Sequence, residues 1–392
     1  MTPAARLQAA IEILDSIRDG EPAEKALTTW GRRSRYAGSK DCAVVRDHVF
    51  TALRCRRSHA ALGGSETGRG LILGALREAG VDPGTVFTGE GHAPQPLRED
   101  EAAAGRSPAA GAEAADFPDW LWDDFTRSLG EGAEGAAAAL RQRAPVHLRV
   151  NRRKSTLANA QAALAEAGVQ TLPHAAAPLA LEVTEGPRKI RNSEPYLSGI
   201  VVLQDAASQA VTEALPLRKG MTVLDYCAGG GGKTLAIAAA EDVQISAHDI
   251  AGQRMRDLPE RAKRAGVRVN LLEPGQPGAA ASYDLVFCDA PCSGSGSWRR
   301  APEGKWRLTA ESLAELCATQ AGILDQAAAL VKPGGALAYA TCSMLSCENR
   351  DQVNAFLARS PGWCLDTDQS WRVSEGTDGF YVAILTQTDR NT

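Results

Sequence analysis

Two cysteines stand where the sequence predicts that strands end, and their positions suggest thiol chemistry. Cys292 follows a proline in DAPCSGSG, and Cys342 lies in ATCS, directly after an apolar run. Most buried cysteines behave as small hydrophobic residues, which is our interpretation of Cys288, Cys317 and Cys364. Cys292 and Cys342 differ because each follows a strand terminus in a loop. Two thiols in such loops indicate covalent catalysis in which one attacks and the other assists release.

A glycine-rich turn within TVLDYCAGGGGKT, residues 222–234, is the predicted ligand-binding element. Val223 and Leu224 are typical of a buried strand, and residues 234–240 of a helix. Glycines let the backbone approach a ligand closely, and the amides at a helix start favour polar or anionic groups. The pattern is nonspecific by itself because it is neither a strict GxGxxG nor a P-loop. A plain flexible turn is the alternative at this point.

Asp249 ends the next predicted strand, about twenty residues after the glycine-rich turn. An acid at this position accepts hydrogen bonds from ribose hydroxyls in nucleotide-binding folds. NAD-dependent oxidoreductases and adenosylmethionine-dependent methyltransferases share this arrangement, so Asp249 does not distinguish between them. An exposed strand-end acid without a ligand is the other open interpretation.

The C-terminal half alternates between apolar runs and helical patterns, which predicts an α/β fold with a doubly wound parallel sheet. Besides the strand before the glycine-rich turn, the predicted strands are 243–250, 267–272, 283–289 and 336–340. Ligands of such sheets bind at the carboxyl ends of the strands. We therefore expect the strand-end residues to converge on one crevice. They are Asp225, Asp249, Asp289, Cys292 and Cys342.

The composition is that of a soluble globular protein and gives no global sign of nucleic-acid binding. The 392 residues are 44% hydrophobic and 23% charged, and the net charge of −4 means that any basic surface must be local. Nine cysteines without a CxxC pair suggest neither a disulfide framework nor a zinc site, and they indicate a reducing, cytoplasmic compartment. We expect no signal peptide and no membrane role, because early charged residues interrupt the first apolar pattern.

Three regions are predicted along the chain. Residues 1–116 carry amphipathic helical stripes and end in an Ala/Gly/Pro-rich segment, 90–116, that is typical of a flexible linker. Between Trp30 and His59 this region has eight Lys/Arg against two acids, which hints at phosphate contacts but equally fits a solvated helix face. Residues 117–195 are predicted to form a small α+β module, and residues 196–392 the doubly wound sheet.

Three motifs resemble those of the RsmB (Sun/Nop) family of RNA cytosine-5 methyltransferases: DYCAGGGGKT, FCDAPCSGSGSWRRAPEGKW and YATCSMLSCEN. LRVNRRK and VVLQDAASQ match the same family, and the helical N-terminus is similar to the NusB-like RNA-binding domain of its 16S ribosomal RNA branch. The resemblance implies a class I methyltransferase (Rossmann-like) fold, S-adenosyl-L-methionine as cofactor and 16S rRNA as the RNA partner. We further expect a monomer with no metal and no membrane partner.

The resemblance also implies roles for the site residues. C5 of cytosine is a poor nucleophile, so a thiolate must first add to C6 before C5 can accept a methyl group. By family analogy Cys342 is this nucleophile and Cys292 assists proton removal and release; the pattern of DNA cytosine methyltransferases would reverse the two. Asp289 is expected near the base and the methionine end of the cofactor, and Asp249 at its ribose. The other implied cofactor contacts are Cys227, Ala228, Gly229, Gly230, Gly231, Gly232 and Lys233.

The sequence departs from the family pattern at two places. The family's turn usually reads CAAPGGKT, whereas Gly229 and Gly230 stand here in place of Ala-Pro, which predicts a more flexible turn and weaker cofactor binding. The family's Gly-Asp after the third strand, which holds adenine, is replaced by LLEPGQPG. Glu273 in this segment is out of register with the missing acid.

RNA contacts are predicted at two sets of residues. Arg149 and Asn151 match a family motif that contacts RNA, although a strand-end arginine is often a surface salt-bridge partner. A second set follows the Cys292 loop and could bind phosphates and stack on a base; it consists of Arg299, Arg300, Lys305 and Trp306. Core packing is an equally good interpretation of Trp306.

Three functions are open from the sequence. The cysteine pair favours an RNA cytosine-5 methyltransferase acting on ribosomal RNA or, by the same chemistry, on tRNA. An oxidoreductase on the same sheet would need a Tyr/Lys pair or a His near the nicotinamide, and no such group accompanies the strand-end cysteines. The altered turn and the missing third-strand acid keep open an RNA-binding or ribosome-assembly factor with weak or lost activity.

Overall fold

The computed structural model describes residues 1–387. It divides into two compact units, one formed by residues 1–143 and 298–307, the other by residues 144–297 and the chain from residue 308 onward. No helix among the described residues is long and apolar enough to cross a membrane.

The first unit is helical, as the sequence predicts. Helices α1, α3 and α5 each bury an apolar face, and Leu14, Val49 and Leu73 share one core. The hydroxyls of Thr2 and Thr67 accept amide hydrogen bonds at the first turns of α1 and α5 and so cap both helices. The similarity of this unit to a NusB-like domain stays a prediction. Its helices are α1 (Pro3–Arg18), α2 (Ala23–Arg33), α3 (Ser39–Arg54), α4 (Arg56–Gly63), α5 (Gly68–Glu78), α6 (Glu99–Ala103), α7 (Asp119–Leu129) and α8 (Ala133–Leu140).

The segment 90–116, which resembles a linker in composition, makes specific contacts with these helices. The carboxylate of Asp116 is buried and accepts hydrogen bonds from the Ser58 amide at 2.9 Å and from Arg141 Nε at 2.8 Å. Arg69 Nε donates to Glu101 at 2.7 Å. The segment is therefore attached to the helical unit more closely than its composition suggests.

The second unit begins with a small antiparallel sheet in the order β2-β3-β1-β4. One face of the sheet packs against α9 through Leu148, Leu181 and Val201. Helices α7 and α8, which the sequence analysis groups with this module, lie in the first unit. The elements are β1 (Val146–Val150), α9 (Leu157–Glu166), β2 (Gln170–Pro173), β3 (Ala180–Glu185), α10 (Glu194–Leu197) and β4 (Val201–Leu203).

A seven-stranded sheet follows, in the order β10-β11-β9-β8-β5-β6-β7. Strands β5 to β9 pair in parallel, and β11 is antiparallel to both of its neighbours. The predicted doubly wound α/β sheet is confirmed. Its elements are α11 (Ala206–Glu213), β5 (Thr222–Asp225), α12 (Gly232–Ala240), β6 (Gln244–Ala247), α13 (Leu258–Ala265), β7 (Asn270–Leu271), β8 (Tyr283–Asp289), α14 (Glu303–Arg307, in the first unit), α15 (Ala310–Ala328), β9 (Val331–Thr341), α16 (Arg350–Arg359), β10 (Trp363–Trp371) and β11 (Phe380–Gln387).

The central strands are buried on both faces. Val223 and Leu285 belong to the core that includes α11 and α12, whereas Leu224 and Val286 belong to the core that includes α15 and α16. A strand covered on both faces is a continuous apolar run in the sequence, which explains why the central strands are predictable. The strand predicted at 267–272 is shorter in the structure because only its last residues pair with β6.

Candidate active site

The glycine-rich turn joins β5 to α12 in a conformation that needs glycine. Gly229 and Gly231 have φ values of +52° and +76°, a left-handed region in which other residues are strained. A β-carbon at Gly231 would lie 2.3 Å from a Leu258 methyl carbon. The turn therefore has little room for side chains at these two positions. Without side chains, its backbone can be approached closely by a ligand.

Asp249 lies beside this turn, after the end of β6. Its Oδ2 accepts a hydrogen bond from the Gly229 amide at 2.8 Å, and its Oδ1 accepts one from the Ala251 amide at 2.9 Å. The side chain is only 2% exposed. Asp249 thus braces the turn while also lining the cleft described below.

Two arginines pack against the positions at which the resembled family has Ala-Pro. A β-carbon at Gly229 would lie 3.0 Å from Arg254 Nη2, and one at Gly230 would lie 3.2 Å from Arg261 Nη1. Arg261 also donates a hydrogen bond to the Gly230 carbonyl. The two arginines fill the space that the side chains of Ala and Pro would occupy at these positions. Their contacts support a turn that the sequence predicts to be flexible.

A cleft of about 1060 Å³ opens at the carboxyl ends of the central strands. The structure brings five predicted strand-end and turn residues together on its wall. Gly275 and Pro277 line it as well, whereas Glu273 is exposed and lies outside the lining. The five are Cys227, Asp249, Asp289, Cys292 and Cys342.

The two cysteine thiols form a close pair in this cleft. Cys292 Sγ lies 3.4 Å from Cys342 Sγ, within sulfur hydrogen-bond distance. The hydrogen bond between the thiols lowers the pKa of Cys342 and outweighs burial and the Asp289 carboxylate, which both raise it; the Lys233 ammonium also lowers it. The same hydrogen bond, together with burial, raises the pKa of Cys292. Cys342 is therefore the thiol of the pair that ionises first.

Lys233 follows the glycine-rich turn and forms an ion pair with Asp289. Its Nζ donates to Asp289 Oδ2 at 2.7 Å and lies 4.6 Å from the centre of the Phe380 ring. Burial by itself lowers the pKa of Lys233, but the Asp289 carboxylate outweighs it, and the pKa lies above its ordinary value. A protonated Lys233 next to Asp289 keeps a positive charge close to Cys342.

Asp225 ends β5 beneath the turn, and its side chain is almost completely buried. Its Oδ2 accepts a hydrogen bond from the Thr234 hydroxyl at 2.6 Å, and its Oδ1 has no hydrogen-bond partner among the described residues. Burial raises the pKa of Asp225 to about 7. Asp225 is predicted to lie in the crevice with the other strand-end residues, but it does not line the cleft.

The raised pKa of Asp225 predicts a pH-dependent stability. The folded protein binds this proton more tightly than the unfolded chain, so the free energy of unfolding falls as pH rises from 3.8 to about 7. Asp225→Asn keeps an oxygen acceptor for Thr234 but does not ionise. We expect the stability of the variant relative to the parent to increase by about 2 kcal/mol between pH 5 and pH 8.

Urea unfolding at the two pH values measures this difference. Asp242→Asn is the matched control, because Asp242 is exposed and the same substitution there should change stability equally at both pH values. An Asp225→Asn variant that behaves like this control would contradict a raised pKa at Asp225.

Glu348 is a site residue that the sequence analysis quotes within a motif but assigns no role. It is fully buried and accepts hydrogen bonds from the Ser293 amide at 2.7 Å, the Ser293 hydroxyl at 2.5 Å and the Ser343 hydroxyl at 2.5 Å. Gln320 Nε2 donates to it as well, at 3.0 Å. Ser293 and Ser343 directly follow the two cysteines, so Glu348 ties the two cysteine loops together.

The residues predicted to contact RNA are mostly buried, and the prediction is wrong for four of them. Arg149 and Asn151 are 7% and 4% exposed, and Asn151 Nδ2 donates to the Ala265 carbonyl at 2.8 Å. Lys305 is 1% exposed and Arg299 4%. Their burial leaves these four side chains inaccessible to phosphates.

The structure bears on two further RNA-contact predictions, at Trp306 and at the basic stretch between Trp30 and His59. Trp306 Nε1 donates to the Leu53 carbonyl at 2.6 Å, which supports the core-packing interpretation. Within the basic stretch, Arg46 and Arg57 form ion pairs with acids. The basic residues of the stretch that remain exposed without an ion pair among the described residues are Arg32, Arg33, Arg35 and Lys40.

Two clusters among residues 1–387 have the composition of metal ligands, and neither lines the cleft. Cys55, His59 and Glu78 form one in the first unit. The other consists of residues 147, 174 and 182 in the small sheet. Glu78 is already bound by Arg141 at 2.5 Å, so the first cluster functions as an ion-pair network.

The strand order, the antiparallel β11 and the glycine-rich turn after β5 define a class I methyltransferase fold. The crystal structure of PH0851 aligns with a TM-score of 0.79 at 24% identity, covering 99% of each chain. The structure of a methyltransferase homolog protein from Pyrococcus horikoshii aligns with a TM-score of 0.61 at 24% identity, covering 70% of this chain and 96% of that one. At these identities the similarity shows the fold.

Sequence similarity identifies the family. Residues 212–386 match the model of the 16S rRNA methyltransferase RsmB/F, and residues 117–189 match the ferredoxin-like domain of RsmF/B-like methyltransferases. The ribosomal RNA small subunit methyltransferase B of Vibrio cholerae is 35% identical over 303 residues, which cover 74% of this chain and 70% of the relative. The chain belongs to the RsmB/F methyltransferase family, and the resemblance stated from the motifs is confirmed.

Proposed function

We propose that this protein transfers a methyl group from S-adenosyl-L-methionine to C5 of a cytosine in 16S ribosomal RNA. The observation that carries the proposal is the pair of thiols, 3.4 Å apart, on the wall of the cleft beside Asp289. The relatives in Vibrio cholerae and Citrobacter koseri are named for the small-subunit ribosomal RNA, which supports the substrate class.

The residues around the cleft fit this cofactor. The glycines of the turn allow the close backbone approach that a nucleoside needs. Asp249 lines the cleft after β6, a position at which acids bind ribose in nucleotide-binding folds, and Asp225 beneath the turn has a buried oxygen without a partner among the described residues. When bound, S-adenosyl-L-methionine supplies a methyl group on a sulfonium centre. We assign its contacts to residues 227–233, Asp249 and Asp289.

Cys342 is the nucleophile in the proposed mechanism. Its thiolate forms a bond to C6 of the cytosine, and the electron pair of the C5–C6 double bond makes C5 able to accept the methyl group. Only the thiolate attacks, so the hydrogen bond with Cys292, which is the main cause of the lowered pKa of Cys342, favours the reactive form.

Cys292 assists the release of the product. After methyl transfer, C5 carries both a proton and a methyl group. Cys292, having given its own proton to solvent, takes the C5 proton; the electron pair returns to the C5–C6 bond, and the C6–Sγ bond to Cys342 breaks. Cys292 Sγ lies 3.4 Å from the attacking sulfur, so a second thiol is available beside the adduct to accept this proton.

Asp289 has an orienting role next to the reacting base. It lines the cleft with its Oδ2 bound to Lys233 and is 30% exposed. A carboxyl group here can hydrogen-bond the cytosine edge and favour protonation at N3 as negative charge develops on the ring. The target nucleotide must be unpaired or flipped out, because C6 is inaccessible within a stacked helix.

Methyl transfer to defined RNAs tests the proposal. The purified protein is incubated with methyl-labelled S-adenosyl-L-methionine and unmodified 16S rRNA or tRNA made by transcription, and the RNA is digested to nucleosides for mass spectrometry. We expect the label in 5-methylcytidine from 16S rRNA. Cys364→Ala is the matched control, because Cys364 is exposed on β10 and should be dispensable.

Each other outcome corrects a specific part of the proposal. Label in a different nucleoside would refute the cysteine mechanism, and label in tRNA alone would refute the ribosomal substrate. If the protein binds RNA but transfers no label to either, the RNA-binding or assembly factor becomes the better conclusion.

A further inference from the structure

We propose that a basic groove on the second unit binds a single-stranded segment of the RNA substrate. This inference rests on the proposed function, because it takes RNA as the substrate. The groove has a volume of about 940 Å³ and is formed by the loop after β1, residues 191–203 and α13. Its basic residues are Lys154, Arg191, Arg256, Arg261, Lys263 and Arg264.

The groove concentrates positive charge in a protein whose net charge is −4. Only two acids, Asp257 and Glu260, line it beside the six basic residues. Arg191 and Lys263 are exposed and form no ion pair with any described residue. Unpaired like charges at short range repel one another, and a polyanion removes this cost while releasing its own counterions.

Like-charge crowding is visible within the groove itself. Burial and the adjacent guanidinium of Arg264 lower the pKa of Arg261. The Arg264 guanidinium carbon lies 5.2 Å from the centre of the Tyr196 ring rather than beside a carboxylate. Arg256 pairs with Asp257 at 3.3 Å, whereas Arg261 and Lys154 bind backbone carbonyls and Arg264 packs on the Tyr196 ring. These carbonyl and ring contacts do not neutralise the charge, which stays available to phosphates.

Apolar surface between the cations favours a single strand over a duplex. Leu197 and Leu203 line the groove and are 59% and 37% exposed. Tyr196 lines the groove as well. Unpaired bases stack on aromatic rings and contact apolar side chains, whereas a duplex hides its base faces. An RNA single strand can contact the basic residues with its phosphates and Tyr196, Leu197 and Leu203 with its bases. It therefore matches both the charge and the apolar surface of the groove.

The groove borders the cleft through the glycine-rich turn. Arg261 lines the groove and donates its hydrogen bond to the carbonyl of Gly230 in that turn. RNA bound here would thus run beside the cofactor-binding element. This surface also supplies what the sequence-based assignment lacks, because Arg149 and Lys305 are buried.

Two charge-matched double variants of the full chain test the groove. Arg191→Gln with Lys263→Gln removes two cations from it. Arg218→Gln with Lys219→Gln removes two exposed cations that precede β5, at the opposite edge of the sheet from the turn. Fluorescence anisotropy measures the binding of a labelled 20-nucleotide single-stranded RNA of random sequence and of a 20-base-pair RNA duplex across a series of salt concentrations, and thermal melting checks the fold.

We expect the groove variant to bind the single strand about tenfold more weakly than the parent at 0.1 M salt. The slope of log affinity against log salt should become shallower by about 1.4, since each phosphate contact on a single strand contributes about 0.7. The control variant, Arg218→Gln with Lys219→Gln, should change the affinity for the single strand and the salt slope less than the groove variant does. Equal losses in the two variants, or no loss in either, would overturn the assignment, and a loss confined to the duplex would overturn its single-strand specificity.

The binding experiment tests the groove separately from the proposed methylation of cytosine C5. If the groove variant binds RNA like the parent while methylation of cytosine C5 proceeds, the groove is refuted and the proposed function stands. If the groove variant loses RNA binding while the parent protein binds RNA but puts the methyl label on another atom or transfers none, the groove stands and the proposed chemistry fails.

Discussion

Replacing Cys342 by alanine is expected to abolish methyl transfer, and replacing Cys292 by alanine is expected to leave RNA covalently attached to the protein. Without the Cys342 thiolate no bond to C6 forms, so C5 stays unreactive and the rate should fall by about 10³-fold or more. Without Cys292 the first bond still forms, but the C5 proton is removed slowly and the adduct accumulates.

Denaturing electrophoresis after incubation with labelled, unmodified 16S rRNA and S-adenosyl-L-methionine distinguishes the two variants. A band that resists denaturant and disappears after ribonuclease treatment identifies the adduct, and sequencing the attached RNA locates the target. Cys364→Ala and the double variant Cys292→Ala/Cys342→Ala are the controls, and neither should give the band. Cys364 lies on β10, outside the cleft lining.

The pattern of bands decides the assignment of roles. An adduct with Cys342→Ala and none with Cys292→Ala would reverse the two cysteines, as in the DNA cytosine methyltransferase pattern. The lowered pKa of Cys342 and the raised pKa of Cys292 favour Cys342 as the nucleophile, whereas their 3.4 Å separation fits either order. An adduct with neither variant, together with normal activity, would exclude covalent catalysis by this pair.

Glu348→Ala should have the second-largest effect, because it leaves several buried donors without an acceptor. The amide and hydroxyl of Ser293 and the hydroxyl of Ser343 all donate to this carboxylate. Each buried donor left unsatisfied costs about 1–3 kcal/mol, so we expect a loss of at least about 3 kcal/mol in unfolding free energy. Glu348→Gln keeps one acceptor oxygen and should lose less.

A positioning role for Glu348 predicts a specific kinetic effect as well. The carboxylate holds the loops of both cysteines but does not line the cleft. Glu348→Gln should therefore lower kcat while changing KM for RNA little, and it should alter the pH profile of the rate, which depends on the coupled thiols.

Urea unfolding and steady-state methyl transfer measure the two effects at Glu348. Glu315→Ala is the matched control, because Glu315 lies exposed on α15, the helix that carries Gln320. If Glu348→Ala is as stable as this control, the hydrogen bonds are not maintained in solution. If Glu348→Gln loses stability but keeps the parent kcat and pH profile, its role is structural only.

The order of elements and the identity of the chemical groups could be predicted from the sequence. Val223, Leu285 and their neighbours are buried on both faces of the sheet, and burial on both faces leaves a continuous apolar pattern. Once a parallel sheet is established, its strand ends must meet at one edge. For this reason the shared cleft of Asp249, Asp289, Cys292 and Cys342 follows from topology without any coordinates.

Burial of charged side chains was decided by tertiary structure alone. Arg149 and Lys305 have the composition and position of RNA-binding residues, yet both are buried, and burial lowers the pKa of Lys305 to about 8. Local sequence does not show what packs over a side chain, because the covering residues come from distant segments. The same reason hides the groove, whose walls combine residues near Arg191 with α13.

Long-range hydrogen bonds were likewise invisible in the sequence. Glu348 bonds Ser293, 55 positions earlier in the chain. Arg261 bonds Gly230, 31 positions earlier. The sequence by itself determined which chemical groups are present and at which strand ends they lie. Apolar runs reveal the strands, and a parallel sheet brings the carboxyl ends of its strands to one side. Which partners hold them, and which thiol ionises first, depends on distances of a few ångströms that only the folded structure sets.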